Sequence, residues 1–217
     1  MERFFILDKF NTWYDWRLVL TSKDVTPPDP KTNYVAIDGM DGTLDLSESL
    51  TGEVTYNDRT VTASFWTCEG TYKERDRLLR EIRTSLHGKK VKIIEPDDPE
   101  HYFYGRVKIK NQINKLPYAE LSIECTCEPW RYAIEDIVRR VDLSSDIVNV
   151  MIRNEGVKTL CPTIIVDGYV ELIYGDITEH LTRGEYKISD IKLYHGFNIL
   201  NVSGMGTVTF SYKEADL

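Results

Sequence analysis

The chain has 217 residues, 35 acidic against 27 basic side chains, and a formal net charge of −8. Its 41% hydrophobic and 29% charged content excludes wholesale disorder, and its net acidity argues against general nucleic-acid binding, where phosphate neutralisation dominates affinity. No stretch approaches the ~20 apolar residues of a membrane span, and the early run Phe4–Leu7, between Glu2 and Asp8, is too short for a signal sequence, so folding in the cytosol is expected.

Residues 1–23 read as an opening strand, a polar turn and a second strand around Arg17–Leu20. Asp24 to Asn33 carries Pro27, Pro28 and Pro30 and predicts an extended loop, because proline gives no donor to a ladder. Tyr34–Ile37 predicts a short strand. The following Asp38-Gly39-Met40-Asp41-Gly42 predicts a turn whose glycines take positive φ. Thr60–Trp66 alternates, with Val61, Ala63 and Phe65 on one face, as in a half-buried strand.

The clearest helix opens at Thr71-Tyr72-Lys73-Glu74, a capping box, carries Leu79, Ile82 and Leu86 on one stripe, and stops at Gly88. Lys90–Glu95, a turn over Pro96–Glu100 and Tyr102–Lys110 follow as a hairpin, with Arg106, Lys108 and Lys110 on one face. Tyr118–Thr126 alternates again, and Pro129 is expected to close this block.

Residues 133–150 fit a helix weakly and then a strand at Val148–Ile152. Beyond them, hairpins are predicted at Thr163–Tyr174 (turning at Asp167-Gly168) and at Asn198–Tyr212 (turning at Ser203–Gly206), with a further strand over Lys187–Tyr194. The expected fold is mainly β (α+β). It comprises an N-terminal sandwich or split barrel with one helix over residues 1–132, then a smaller β-sandwich over residues 133–217.

Candidate chemistry is sparse. Asp41-Gly42-Thr43-Leu44 resembles the start of haloacid-dehalogenase-type phosphatases, but the nucleophile position two residues earlier is Gly39, and Asp38 is one residue out of register. The acids Glu95, Asp97, Asp98 and Glu100 with His101 read as a solvated turn. Arg75, Arg77, Arg80 and Arg83, with Lys89, Lys90 and Lys92, suggest a basic patch, but Glu74, Asp76 and Glu81 dilute it and the group reads as a solvated face. Cys68, Cys125, Cys127 and Cys161 lack zinc-site spacing, and the Cys125/Cys127 pair reads as two small buried hydrophobes. Trp13, Trp16, Trp66 and Trp130 read as core or assembly-interface residues. Tyr169, Tyr174, Tyr186 and Tyr194 motivate an alternative reading as a carbohydrate-binding module in host-surface adhesion.

In order along the chain stand Arg17-Leu18-Val19-Leu20-Thr21, the proline-rich loop, Gly39-Met40-Asp41-Gly42-Thr43-Leu44-Asp45-Leu46 and Asn57-Asp58-Arg59-Thr60-Val61. Glu95-Pro96-Asp97-Asp98-Pro99 with Tyr102-Phe103-Tyr104 and the closing Gly196–Gly206 segment follow. This arrangement resembles the distal tail proteins of long-tailed, non-contractile phages of Gram-positive hosts, over essentially the whole chain. Met40 stands where that family commonly has Arg.

The resemblance implies a non-enzymatic virion protein at the tail tip, without cofactor, metal or membrane. Its N-terminal domain would close into a homohexameric ring and its C-terminal domain would be a galectin-like jelly roll. The ring would be a hub joining the tail tube protein, a tail-tip protein and receptor-binding or baseplate proteins in host adsorption, with DNA only passing through the lumen. Candidate interface and turn residues are Gly39, Asp41, Gly42, Thr43, Leu44 and Arg59.

Overall fold

The computed structural model describes residues 4–217. The chain divides into two compact units, one running to Arg131 and one spanning Tyr132–Asp216. The first contains β1 (Ile6–Leu7), β2 (Phe10–Asn11), β3 (Val19–Val25), β4 (Tyr34–Val35), β5 (Leu44–Asp45), β6 (Arg59–Thr67), α1 (Tyr72–Leu86), β7 (Lys90–Glu95), β8 (Asp98–Asn114) and most of β9 (Ala119–Ala133). The second contains β10 (Ile137–Ser144), β11 (Val148–Asn154), β12 (Thr163–Tyr174), β13 (Ile177–Tyr186), β14 (Gly196–Tyr212) and β15 (Ala215–Asp216). The fold is mainly β, with one helix among the described residues.

The main sheet of the first unit runs β2-β1-β7-β8-β9-β6-β3. Alternation drives it. Val61, Ala63 and Phe65 of β6 and Leu121, Ile123, Cys125 and Cys127 of β9 all point into one core, where Phe5 meets Phe65 edge-on at 6.0 Å. The helix buries Leu79, Ile82 and Leu86 in the same core, each contributing about 1.5–3 kcal/mol of apolar burial. Its capping box forms as read, with the Glu74 amide donating to the Thr71 hydroxyl and the Thr71 amide donating to the Glu74 carboxylate at 2.7 Å. Gln112 and Asn114 of β8 bind the helix from the side, donating to the carbonyls of Leu79 and Tyr72.

The second unit is a five-stranded sheet, β10-β14-β12-β13, with β11 also on β14. Its strands share a second core that includes Ile152, Val166, Leu172, Leu181, Val202 and Phe210. β10 pairs with Met205–Tyr212 and β11 with Gly196–Val202, so the two succeed each other along a single partner.

Several expectations are corrected. β9 runs through Pro129 to Ala133. The β6 ladder ends at the Arg59–Cys127 pair, so on that side the missing proline donor costs nothing. Ile137, Val138 and Val141, weakly helical in spacing, form β10, because the ladder to β14 outweighs propensity. Neither Asp167-Gly168 nor Ser203–Gly206 is a hairpin turn. β12 and β14 each run straight through, with an irregularity in the β12–β13 register between Val166 and Tyr169. Gly168, Gly204 and Gly206 do take positive φ (+132°, +131° and +110°), but to let two strand backbones approach. Lys187–Tyr194 is not a strand. It buries Ile191 and Leu193 in irregular structure, and the ladder place is taken by β13, which the sequence reading missed.

Candidate functional site

Between β3 and β6 the chain leaves the sheet as an arm, residues 26–58. Its base is tied by the amides of Lys31 and Asn57, which donate to the carbonyls of Thr55 (2.7 Å) and Asp29 (2.8 Å), and by a bridge between Pro30 and Tyr56. Further out, β4 and β5 form a separate two-stranded ribbon, Tyr34 opposite Asp45 and Val35 opposite Leu44. The Asp45 carboxylate accepts from the amide and hydroxyl of Ser47, which hold its pKa below the ordinary value. The turn at the tip carries Gly39 and Gly42 at φ +85° and +81°, both facing open space, as the Asp-Gly pairs predict. Tyr34, Val35, Ile37, Met40 and Leu44 are exposed, Leu50 is 97% exposed, and none of them belongs to either core.

Gly39, Asp41, Gly42, Thr43 and Leu44 therefore stand together on the ribbon and its turn, and Asp41 occupies an exposed turn rather than a cleft. Arg59 stands apart from them. It opens β6 at 5% exposure, its guanidinium lies 5.1 Å from the centre of the Phe103 ring, and its Nε has no hydrogen-bond partner. Burial holds its pKa below the usual arginine value.

The acids after β7 are not a purely solvated turn. Lys23 of β3 pairs with Glu95 and, at 2.9 Å, with Asp97, while Asp98 receives His101 (2.8 Å) and Arg131 (2.9 Å). Burial pushes the Lys23 ammonium down, but the Glu95 and Asp97 carboxylates more than offset it, so its pKa lies above 10.5. Cys125 and Cys127 are buried. Desolvation raises both thiols, Cys127 to about 12, which makes them inert core residues. The hydroxyls of Tyr174 and Tyr186 are spent on the carbonyls of Lys192 and Thr182, and the exposed rings are those of Tyr169, stacked on His180, and Tyr194.

A second surface of the first unit carries a row of basic residues beside Glu124 and Glu128 of β9. β7 and β8 place Lys90 opposite Arg106 and Lys92 opposite Tyr104, and Lys108 and Lys110 continue the outward face of β8. Lys90 is paired with Glu128 (2.6 Å) and Lys110 with Glu124 (2.8 Å). Arg106 donates to the Gly88 carbonyl, and neither it nor Lys108 forms an ion pair among the described residues, although the Lys108 charge, after Lys110, helps to hold the Glu124 pKa down. A groove of about 610 Å³ runs along this strip, lined by Asp58, His87, Lys90, Arg106, Lys108 and Thr126 among others.

The architecture matches a solved structure over nearly its whole length. The fold is that of SPP1 Dit. The TM-score is 0.71 and the match covers 97% of this chain and 98% of the other, at 16% sequence identity. That crystal structure is described as the SPP1 Dit (gp 19.1) protein, a paradigm of hub adsorption apparatus in phages infecting Gram-positive hosts. No protein-family model matches the sequence, and no curated protein matches it.

Relative to the sequence reading, the SPP1 Dit-like fold adds features that needed tertiary pairing to appear. Arg75, read as part of a solvated helix face, is buried. It donates to the carbonyls of Gly70 (2.6 Å) and Lys115 (3.3 Å) and so pins the helix start to the β8–β9 turn. The alternation of Arg106, Lys108 and Lys110 was visible as a pattern. Its union with Lys90 and Lys92 into one strip required the β7–β8 register.

Proposed function

We propose that this chain is a structural hub at the distal end of a phage tail, built to assemble with copies of itself. The correspondence with SPP1 Dit across both compact units carries the reading, because a match confined to one unit would leave the other's role open. The arm supports it. A ribbon of exposed apolar side chains outside any core is a surface awaiting a partner. A closed ring needs a head-to-tail interface in which one surface of each copy meets a different surface of the next.

In this reading residues 1–132 form a homohexameric ring and residues 133–217 form the second, outer domain. The ring joins the tail tube protein to a tail-tip protein and to receptor-binding or baseplate proteins, acts in host adsorption, and has no catalytic role. Six copies at −8 carry a total of about −48, which lets DNA slide through the lumen rather than stick.

Light-scattering mass measurement and electron microscopy of the purified protein test this. Particles of about six times the 25.2 kDa chain mass are expected, alone or with the tail tube protein. A strictly monomeric protein that captures neither tail tube nor tail-tip partner refutes it. The stacked, exposed Tyr169–His180 pair favours a second reading as a glycan platform. A glycan array probed with the full chain decides that one, and no signal retires it.

A further inference from the structure

The charge of the arm and the charge of the β7–β8 strip are opposite. Between Thr26 and Asp58 the only cation is Lys31, against seven carboxylates. Between His87 and Ile94, and again between Tyr102 and Lys110, no acidic residue occurs, while Lys89, Lys90, Lys92, Arg106, Lys108 and Lys110 do. Asp38 and Asp41 at the arm tip form no ion pair among the described residues, and neither do Arg106 and Lys108. Both surfaces are exposed in the single chain.

We infer that the acidic arm of one copy seats on the basic β7–β8 strip of a second copy, with Asp38 and Asp41 against Arg106 and Lys108. This rests on the ring reading and names the two faces of its interface. The arrangement is heterologous by construction, since a donor arm and an acceptor strip are different patches of one chain, and such a contact repeated about a closing rotation gives a ring. Opposite potentials orient the encounter, and the exposed Ile37 and Met40 at the tip supply apolar area once the charges have set the register. The groove along the strip gives the tip a concave seat, and its one acidic wall residue, Asp58, belongs to the base of the host copy's own arm. Salt weakens the contact, because exposed charges are screened beyond about 8–10 Å at 0.1–0.15 M.

Charge exchange tests the inference on the full chain. One variant carries Arg106→Glu and Lys108→Glu and keeps its acidic arm. The other carries Asp38→Lys and Asp41→Lys and keeps its basic strip. Each alone juxtaposes like charges at every junction and is expected to be at least about tenfold weaker in assembly by sedimentation equilibrium, with unchanged circular dichroism. Mixed in equal amounts, they restore opposite charges at every junction of an alternating ring, and assembly is expected to return. If the strip variant assembles like wild type, or the mixture of folded variants stays dissociated, this docking is wrong while the ring survives. If the wild type itself remains monomeric at millimolar concentration and captures no tail partner, the ring and the docking fall together.

Discussion

Replacing Gly206 by Ala probes the closest backbone approach in the second unit. Gly206 lies opposite Gly168 where β14 crosses β12, at φ +110°, and a Cβ there would overlap the Asp167 carbonyl oxygen. Two costs follow. A non-glycine residue held in that backbone region costs about 1–3 kcal/mol. Relieving the overlap requires the strands to part by roughly 1 Å, which weakens two or so ladder hydrogen bonds at about 0.5–1.5 kcal/mol each. The sum is about 2–6 kcal/mol, a midpoint shift of roughly 1–3 M urea at an m-value of about 2 kcal/mol/M.

All four tryptophans lie in the first unit, at positions 13, 16, 66 and 130, so their fluorescence reports that unit while amide hydrogen exchange of β12 and β14 reports the other. Faster exchange confined to β10–β14 is expected. Gly175→Ala, a turn glycine at φ +57° facing open space, is the control and should cost only about 1 kcal/mol. Equal effects of the two substitutions refute the close-approach argument.

Thr71→Ala removes the helix cap and should lower stability by about 1 kcal/mol in urea unfolding. Hydrogen bonds from Thr71 lower the Glu74 pKa, so the stabilisation from its carboxylate is present above its unfolded value of 4.5 and is lost as pH falls through the lower folded value; in Glu74→Gln that acid-side loss should flatten. The pKa of Lys23 is raised, so its contribution is present below 10.5 and is lost as pH rises through the higher folded value. Lys23→Met should remove this alkaline dependence in thermal melts. Gly42→Val forces a β-branched residue into φ +81° on the exposed turn, and should leave the melting of both cores nearly unchanged while reducing assembly by light scattering; unaltered assembly would count against the arm's role.

Elements with strong local signals were legible. Val61, Ala63 and Phe65 announced β6 by alternation, and Thr71 with Glu74 announced the helix start. What failed were places where a distant strand decides. Gly168, Gly204 and Gly206 look like turn residues because positive φ serves turns and crowded strand crossings alike, and only the β12–β14 register separates the two uses. Ile191 and Leu193 carry an apolar alternation that a strand would carry, yet fill the core without a ladder. In the arm, Asp38–Gly42 was legible as a turn from its glycines. Its protrusion was not, because exposure depends on partners that local sequence does not encode. Arg75 was misread for the same reason, since carbonyls of Gly70 and Lys115 bury it.

The dependence of β10 and β11 on β14 has a consequence for biosynthesis. Both hydrogen-bond to β14, the last strand of their sheet to be synthesised. Until then the C-terminal half can hold little more than the β12–β13 hairpin, while the N-terminal half already has the whole run β2-β1-β7-β8-β9-β6-β3 and lacks only the short β15, which pairs with β9. Translation therefore delivers the two halves in a fixed order. A chain truncated within β14 should keep the seven-strand run of the first half and leave β10 and β11 as unpaired strands, a ready substrate for proteases and for aggregation.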